Sequence, residues 1–251
     1  MQKLFSTLFC AILVANSGFL NAQTKATVIY EETFHFDIPE EFKARMPANA
    51  PTKTENSKIL QISDKQSYFK NAPVKEDLTP NLENRDGNRG GGGMRFMGRM
   101  GGSNEEIYTD LTTKNQLVKA NFFNKDFIVK ENFDKYKWRI IATEQRDILG
   151  YTCMKAEYRD SINTVTVWFT PQIQSQHGPS GLHGLPGLIL AASVGENKIL
   201  LAKEIRLKDE TVAITAIEEK KGTMTREAYD KMVKERMEEM RAMWGQRRPG
   251  Q

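Results

Sequence analysis

Thiols are almost missing from this chain: Cys10 and Cys153 are the only two cysteines among 251 residues. Two are too few for a cysteine-ligated metal framework or a disulfide-stapled scaffold, so stability has to come from packing. Histidine is nearly as scarce, at 3 residues. No apolar run reaches the roughly 20 residues needed to cross a bilayer as a helix. Excess charge is lacking too, since a net charge of +4 over this length gives little pull toward nucleic acid, and none is expected as a partner. There is no serine nucleophile elbow, no phosphate-cradling glycine loop and no paired acidic motif, so no catalytic residue is assigned and no cofactor is named.

What is present begins with an export signal. Lys3 supplies positive charge, Leu4 to Val14 is almost wholly apolar, and Ser17-Gly18 loosens the segment before Leu20-Asn21-Ala22. Cleavage after Ala22 would leave Gln23 at the mature N-terminus. The apolar stretch of about a dozen residues is too short for an anchor, so the expected product is soluble in the periplasm or secreted, and not an integral membrane protein. Cys10 lies inside the apolar stretch, too early for a lipidated first residue. The remaining 23–251 suit one sizeable domain, with 39% hydrophobic and 27% charged residues in the whole chain.

Beyond the signal, short alternating segments dominate. Val28, Tyr30, Phe34, Phe36 and Ile38 alternate with Thr27, Glu31, Thr33, His35 and Asp37, the two-residue period of a half-buried strand. Further extended stretches are expected at 58–69, 116–123, 127–131, 137–143, 152–159, 164–170, 188–194 and 198–207, and at Val212, Ile214 and Ala216. The spacing predicts a mainly β fold: a curved antiparallel sheet or half-open barrel. A glycine-, methionine- and arginine-rich stretch at about 71–104 reads as a mobile insertion, because such glycine density costs too much chain entropy to pack. Residues 225–244 place Tyr229, Met232, Val233, Met237, Met240, Met243 and Trp244 at helical spacing, predicting an amphipathic helix that closes one side of the sheet. The expected organisation is a signal at 1–22, a β-rich domain at 23–222, and a helix and tail at 223–251.

One hexapeptide stands out: Gly184-Leu185-Pro186-Gly187-Leu188-Ile189. Pro186 and Gly187 suit the two central positions of a type II turn, with Gly187 at positive φ, launching a buried strand. The hexapeptide, with Ile148-Leu149-Gly150-Tyr151-Thr152-Cys153-Met154-Lys155-Ala156, Val167-Trp168-Phe169-Thr170-Pro171, Gly178-Pro179 and Trp138 before Glu144, resembles the GLPGLI (Porph_ging) family of exported Bacteroidota proteins. The resemblance is dense from Trp138 to Ala192 and implies an exported β-rich protein often encoded near TonB-dependent receptors. It carries no catalytic residues.

Three chemical readings follow. The leading expectation is a non-enzymatic periplasmic binding or accessory protein linked to outer-membrane transport, with a TonB-dependent receptor, another envelope protein or a small apolar ligand as partner. The alternative is a copper-binding protein using Met94, Met97 and Met100 with His177 and His183, since thioethers and imidazoles suit copper(I). A thiol enzyme built on Cys153 comes third. Both histidines are expected on a surface loop, and Cys153 to be structural.

Overall fold

A computed structural model describes residues 25–36, 51–73, 105–159 and 164–246. The signal segment with Ala22 and Gln23, and Met94, Met97 and Met100 of the insertion, lie outside the described residues.

The alternating segments become β1 (Lys25–His35), β2 (Lys53–Ser63), β3 (Gln66–Asn71), β4 (Glu106–Asp110), β5 (Asn115–Phe122), β6 (Lys125–Lys130), β7 (Arg139–Ile148), β8 (Tyr151–Arg159), β9 (Thr164–Thr170), β10 (Leu188–Val194), β11 (Lys198–Leu207) and β12 (Met224–Thr225), followed by the helix α1 (Arg226–Gln246). They build one open, twelve-stranded sheet in the order β12-β6-β5-β4-β3-β2-β1-β11-β10-β9-β8-β7. The short β12 lies parallel to β6, and the rest of the ladder is antiparallel. The mainly β architecture expected from the periodicity is therefore the one observed.

The connectivity forces the curvature. Strands β6 and β7 are consecutive in the chain yet stand far apart in the sheet order, about 48 Å apart if the sheet were flat at ~4.8 Å per strand. The link from Lys130 to Arg139 reaches at most about 32 Å fully extended. The sheet must bend until its two ends approach, which creates a concave face.

That face holds the core. Ala26, Val28, Tyr30, Leu60, Ile62, Phe69, Ile107, Val118, Val167, Phe169 and Leu200 pack in one apolar cluster. The cluster also contains Ile173, Leu182 and Leu185 from the connection between β9 and β10, which therefore plugs the concavity. The buried Tyr30 hydroxyl donates to the Ile189 carbonyl at 2.6 Å, tying β1 to β10 across the interior. Helix α1 covers the β6 margin only: Tyr229 meets Phe127 edge-on at 5.6 Å, with Met232 and Val233 beside it. The plug, rather than the helix, closes most of the concave face.

Two local expectations change. Residues 212–220 form no strand, although Val212 is buried. They belong to a crossing from β11 to β12 that starts at a Lys25–Glu210 ion pair of 3.0 Å and ends at a Lys130–Glu219 pair of 2.6 Å. Alternation reported one-sided burial there and not a ladder. The hexapeptide turn also differs. Positive φ belongs to Gly184 (+92°) and not to Gly187, and the Gly187 N–H donates to the Leu185 carbonyl at 2.8 Å, closing a three-residue turn around Pro186. Gly187 is required for a different reason: a Cβ there would stand 2.2 Å from the Thr170 carbonyl oxygen.

Candidate functional site

Strand parity places several charged side chains on the apolar, concave face. Glu32 follows Ala26, Val28 and Tyr30 on the inward side of β1, and Lys58 precedes Leu60 and Ile62 on β2. Glu131 follows Val129 at the end of β6 and lies level with Gln116. These positions bring together two ion networks.

The deeper one centres on Glu32, whose carboxylate oxygens lie 3.3 Å from Lys58 Nζ and 3.1 Å from Lys198 Nζ. Lys58 also donates to Asn71 Oδ1 at 2.6 Å. Burial pushes the Lys58 ammonium below its ordinary range, only partly offset by the Glu32 charge. Lys198 extends outward and donates to Ser180 Oγ at 3.0 Å.

The outer network centres on Arg226, the first residue of α1. Its guanidinium reaches Glu131 at 2.6 Å, Glu105 at 3.6 Å and Asp230 at 3.6 Å. Lys135 adds a second cation on Glu131 at 2.8 Å. Burial opposes the Glu131 carboxylate, but Lys135 and Arg226 outweigh it and hold the carboxyl below its usual range. Glu131 is therefore ionised at neutral pH.

The outer network lines a cleft of about 200 Å³. Glu105, Glu131, Lys135, Arg226, Gln116 and Ser180 supply its polar lining, and Ile107, Val118, Tyr136, Val165, Leu182 and Val194 its apolar walls. Beside it Tyr136 stacks on Trp138 at 5.3 Å and meets Tyr158 edge-on at 5.5 Å. The Trp138 indole donates to the His183 carbonyl at 2.8 Å, fastening this aromatic wall to the plug.

The residues singled out from sequence fall elsewhere. His177 and His183 face each other across an isolated antiparallel bridge, but both are buried rather than on a surface loop. Burial, with His183 and Lys65 nearby, pushes the His177 imidazole down to about 3 against the pull of the Asp64 backbone and Asp110. His183 stacks on Phe133 at 4.2 Å, and burial with Lys135 nearby pushes it to about 4. Among the described residues no group of three or more His, Cys, Asp or Glu side chains could hold a metal ion. Cys153 is buried, and its thiol is pushed up to about 11 by burial and Asp147, which keeps it protonated at neutral pH. No helix among the described residues is long and apolar enough to cross a membrane.

Residues 103–231 match the family described as N-glycanase peptide, N-terminal domain. The chain belongs to that family. The match spans β4 through the first turns of α1, so it contains Arg226 with its carboxylate partners, and the plug. Two solved structures are similar: PNGF-II in a C2 space group (16% identity, TM-score 0.49, covering 84% of this chain and 32% of that one) and PNGF-II in a P21 space group (19%, 0.47, 84% and 33%). The chain thus spans about a third of their length. None of the curated proteins matches.

The family match overturns the GLPGLI resemblance, because the stretch that carried it, Trp138 to Ala192, lies wholly inside the matched span. The hexapeptide's residues answer to local geometry: a tight turn at Pro186 and a contact at Gly187 too close for any side chain. The expectation of a non-enzymatic transport accessory associated with TonB-dependent receptors falls with the resemblance, as do its copper and thiol alternatives.

The residues missed from sequence were the cleft's own charges. The available signal lay in the neighbouring inner network: Glu32, a carboxylate at core parity between Tyr30 and Phe34.

Proposed function

We propose that this chain works in N-glycan processing, with the concave cleft as the place where an N-glycosylated substrate is held. The observation that carries this reading is the Glu105–Arg226–Glu131 bridge at a partly enclosed cleft beside the Tyr136–Trp138 aromatic wall. Carboxylates and a guanidinium offer acceptors and donors to sugar hydroxyls, and aromatic faces suit the apolar side of a sugar ring. Membership of the N-glycanase N-terminal family supplies the substrate class. Recognition is favoured over bond cleavage at this point in the fold. Glu131 is fixed as an anion, both plug histidines are neutral and very weak bases, and Cys153 is protonated, so none is tuned for proton transfer near pH 7. An exported chain, periplasmic or secreted with Gln23 at its N-terminus, fits a glycoprotein substrate.

The test is titration of the full chain with an N-glycosylated peptide and with the same peptide lacking its glycan. The glycopeptide should bind at least about tenfold tighter, and Glu131→Gln should weaken it by about tenfold, the scale of one charge-assisted hydrogen bond. Equal binding of the two peptides would sink the reading.

A further inference from the structure

We infer that the inner part of the cleft is a subsite for a neutral acylamino group, with Ser180 donating a hydrogen bond to its carbonyl oxygen and branched aliphatic side chains enclosing its methyl. This rests on the reading of the cleft as a glycan-binding site.

An ammonium group can only donate, so in the 3.0 Å contact between Lys198 Nζ and Ser180 Oγ the hydroxyl oxygen is the acceptor. Lys198 is in turn held by Glu32 at 3.1 Å. The hydroxyl's own proton is then polarised and left over, and among the described residues no acceptor is placed for it.

The backbone fixes where that donor stands. Ser180 has φ +56° and Gly181 φ +74°, two successive residues in the left-handed region, which a serine occupies only at some cost. Gln116 Nε2 holds the turn by donating to the Gly181 carbonyl at 2.7 Å, and a Cβ on Gly181 would meet that nitrogen at 2.8 Å. A strained polar residue pinned from the opposite side of the sheet is a positioned donor.

Around it the cleft is aliphatic, with Ile107, Val165, Leu182 and Val194 in the same lining. A sugar hydroxyl would take the hydrogen bond but gain nothing from these walls. An N-acyl group gains from both, and as a neutral group it meets neither the repulsion of Glu105 and Glu131 nor that of Lys135 and Arg226.

The probes are N-acetylglucosamine and glucose, titrated into the full chain by amide NMR. Wild type should bind N-acetylglucosamine about tenfold tighter than glucose. Ser180→Gly, which suits the positive φ and so preserves the turn, should erase about three- to tenfold of that preference, because glucose offers only a hydroxyl, a weaker acceptor than an amide carbonyl, and loses less. Ser180→Ala should do the same. Equal affinity for the two sugars in wild type, no detectable binding of either, or an unchanged preference in Ser180→Gly overturns the subsite. If the glycopeptide of the preceding test still binds better than its bare peptide, only the acyl subsite has failed; if it does not, the glycan reading has failed as well.

Discussion

The two ion networks of the concave face use the same chemistry at different depths. Glu32, Lys58 and Lys198 form a carboxylate between two ammoniums, and the Glu32 and Lys58 side chains are each 2% exposed. Glu105, Glu131, Lys135 and Arg226 form a comparable cluster, with Arg226 24% and Lys135 29% exposed. Depth changes what such a cluster does. Charges with little water must satisfy one another, so the buried Glu32 and Lys58, with Lys198 reaching outward at 20% exposure, are committed to holding β1, β2 and β11 together. The outer set keeps contact with solvent and can exchange that water for a ligand.

The sharpest way to break the comparison is to remove the inner carboxylate. Glu32→Ala removes the buried carboxylate that lies within 3.3 Å of Lys58 and 3.1 Å of Lys198, and a loss of about 3–5 kcal/mol is expected from urea unfolding. A loss below about 1 kcal/mol would show that the lysines escape to water, and the distinction between the networks would collapse.

Acid should act on a comparable scale, through the plug. The folded-state values of about 3 for His177 and about 4 for His183 lie below the 6.5 of an unfolded imidazole. As pH falls the unfolded chain takes up protons first, so stability is full above about pH 6.5 and declines toward pH 4 and then pH 3. Each tenfold weakening of proton affinity on folding is worth about 1.4 kcal/mol, so the two histidines together account for several kcal/mol. His183→Phe, which keeps an aromatic ring against Phe133, should flatten the decline between pH 6.5 and 4. An unaltered pH profile in that variant would remove the plug as the acid-sensitive element.

Much of the sheet was legible from sequence because alternation is a local signal: β1, β5, β9, β10, β11 and the Tyr229–Met232–Val233 stripe of α1 can be read residue by residue. The cleft was not, because its members meet through long-range pairings. Gln116 bonds Gly181 across 65 positions and Arg226 bonds Glu131 across 95. A motif such as Gly184 to Ile189 is conspicuous in sequence because tight turns need particular residues in a row, and that prominence reflects a steric requirement. The burial of the plug histidines is illegible in sequence for a related reason: glycine and proline around them look like an exposed loop, whereas the curvature set by the β6–β7 link turns that loop inward.

A smaller effect is expected at the outer network. Arg226→Ala removes the bond from α1 to Glu131 and the cation placed 5.5 Å from the Tyr229 ring centre. Glu131 keeps Lys135, so the cost should be about 1–3 kcal/mol, less than for Glu32→Ala. The same variant should weaken glycopeptide binding by more than its stability loss explains, which a purely structural tether would not do.

The smallest effect calibrates the rest. On the β7–β8 hairpin Arg139 pairs with Glu157 at 2.6 Å, as short as the Arg226–Glu131 contact, but the Arg139 side chain is 74% exposed. Water screens this pair and the arginine gives up side-chain freedom to form it, so Arg139→Ala should shift stability by no more than about 0.5 kcal/mol. Glu157 also retains Lys155 at 3.0 Å, which leaves no stranded charge. Unfolding of Arg139→Ala and Arg226→Ala side by side compares two arginine–carboxylate contacts of equal length that differ in solvent access. If their losses were equal, contact distance rather than depth would govern these networks, and the outer cluster would have no special claim to be the one that meets a ligand.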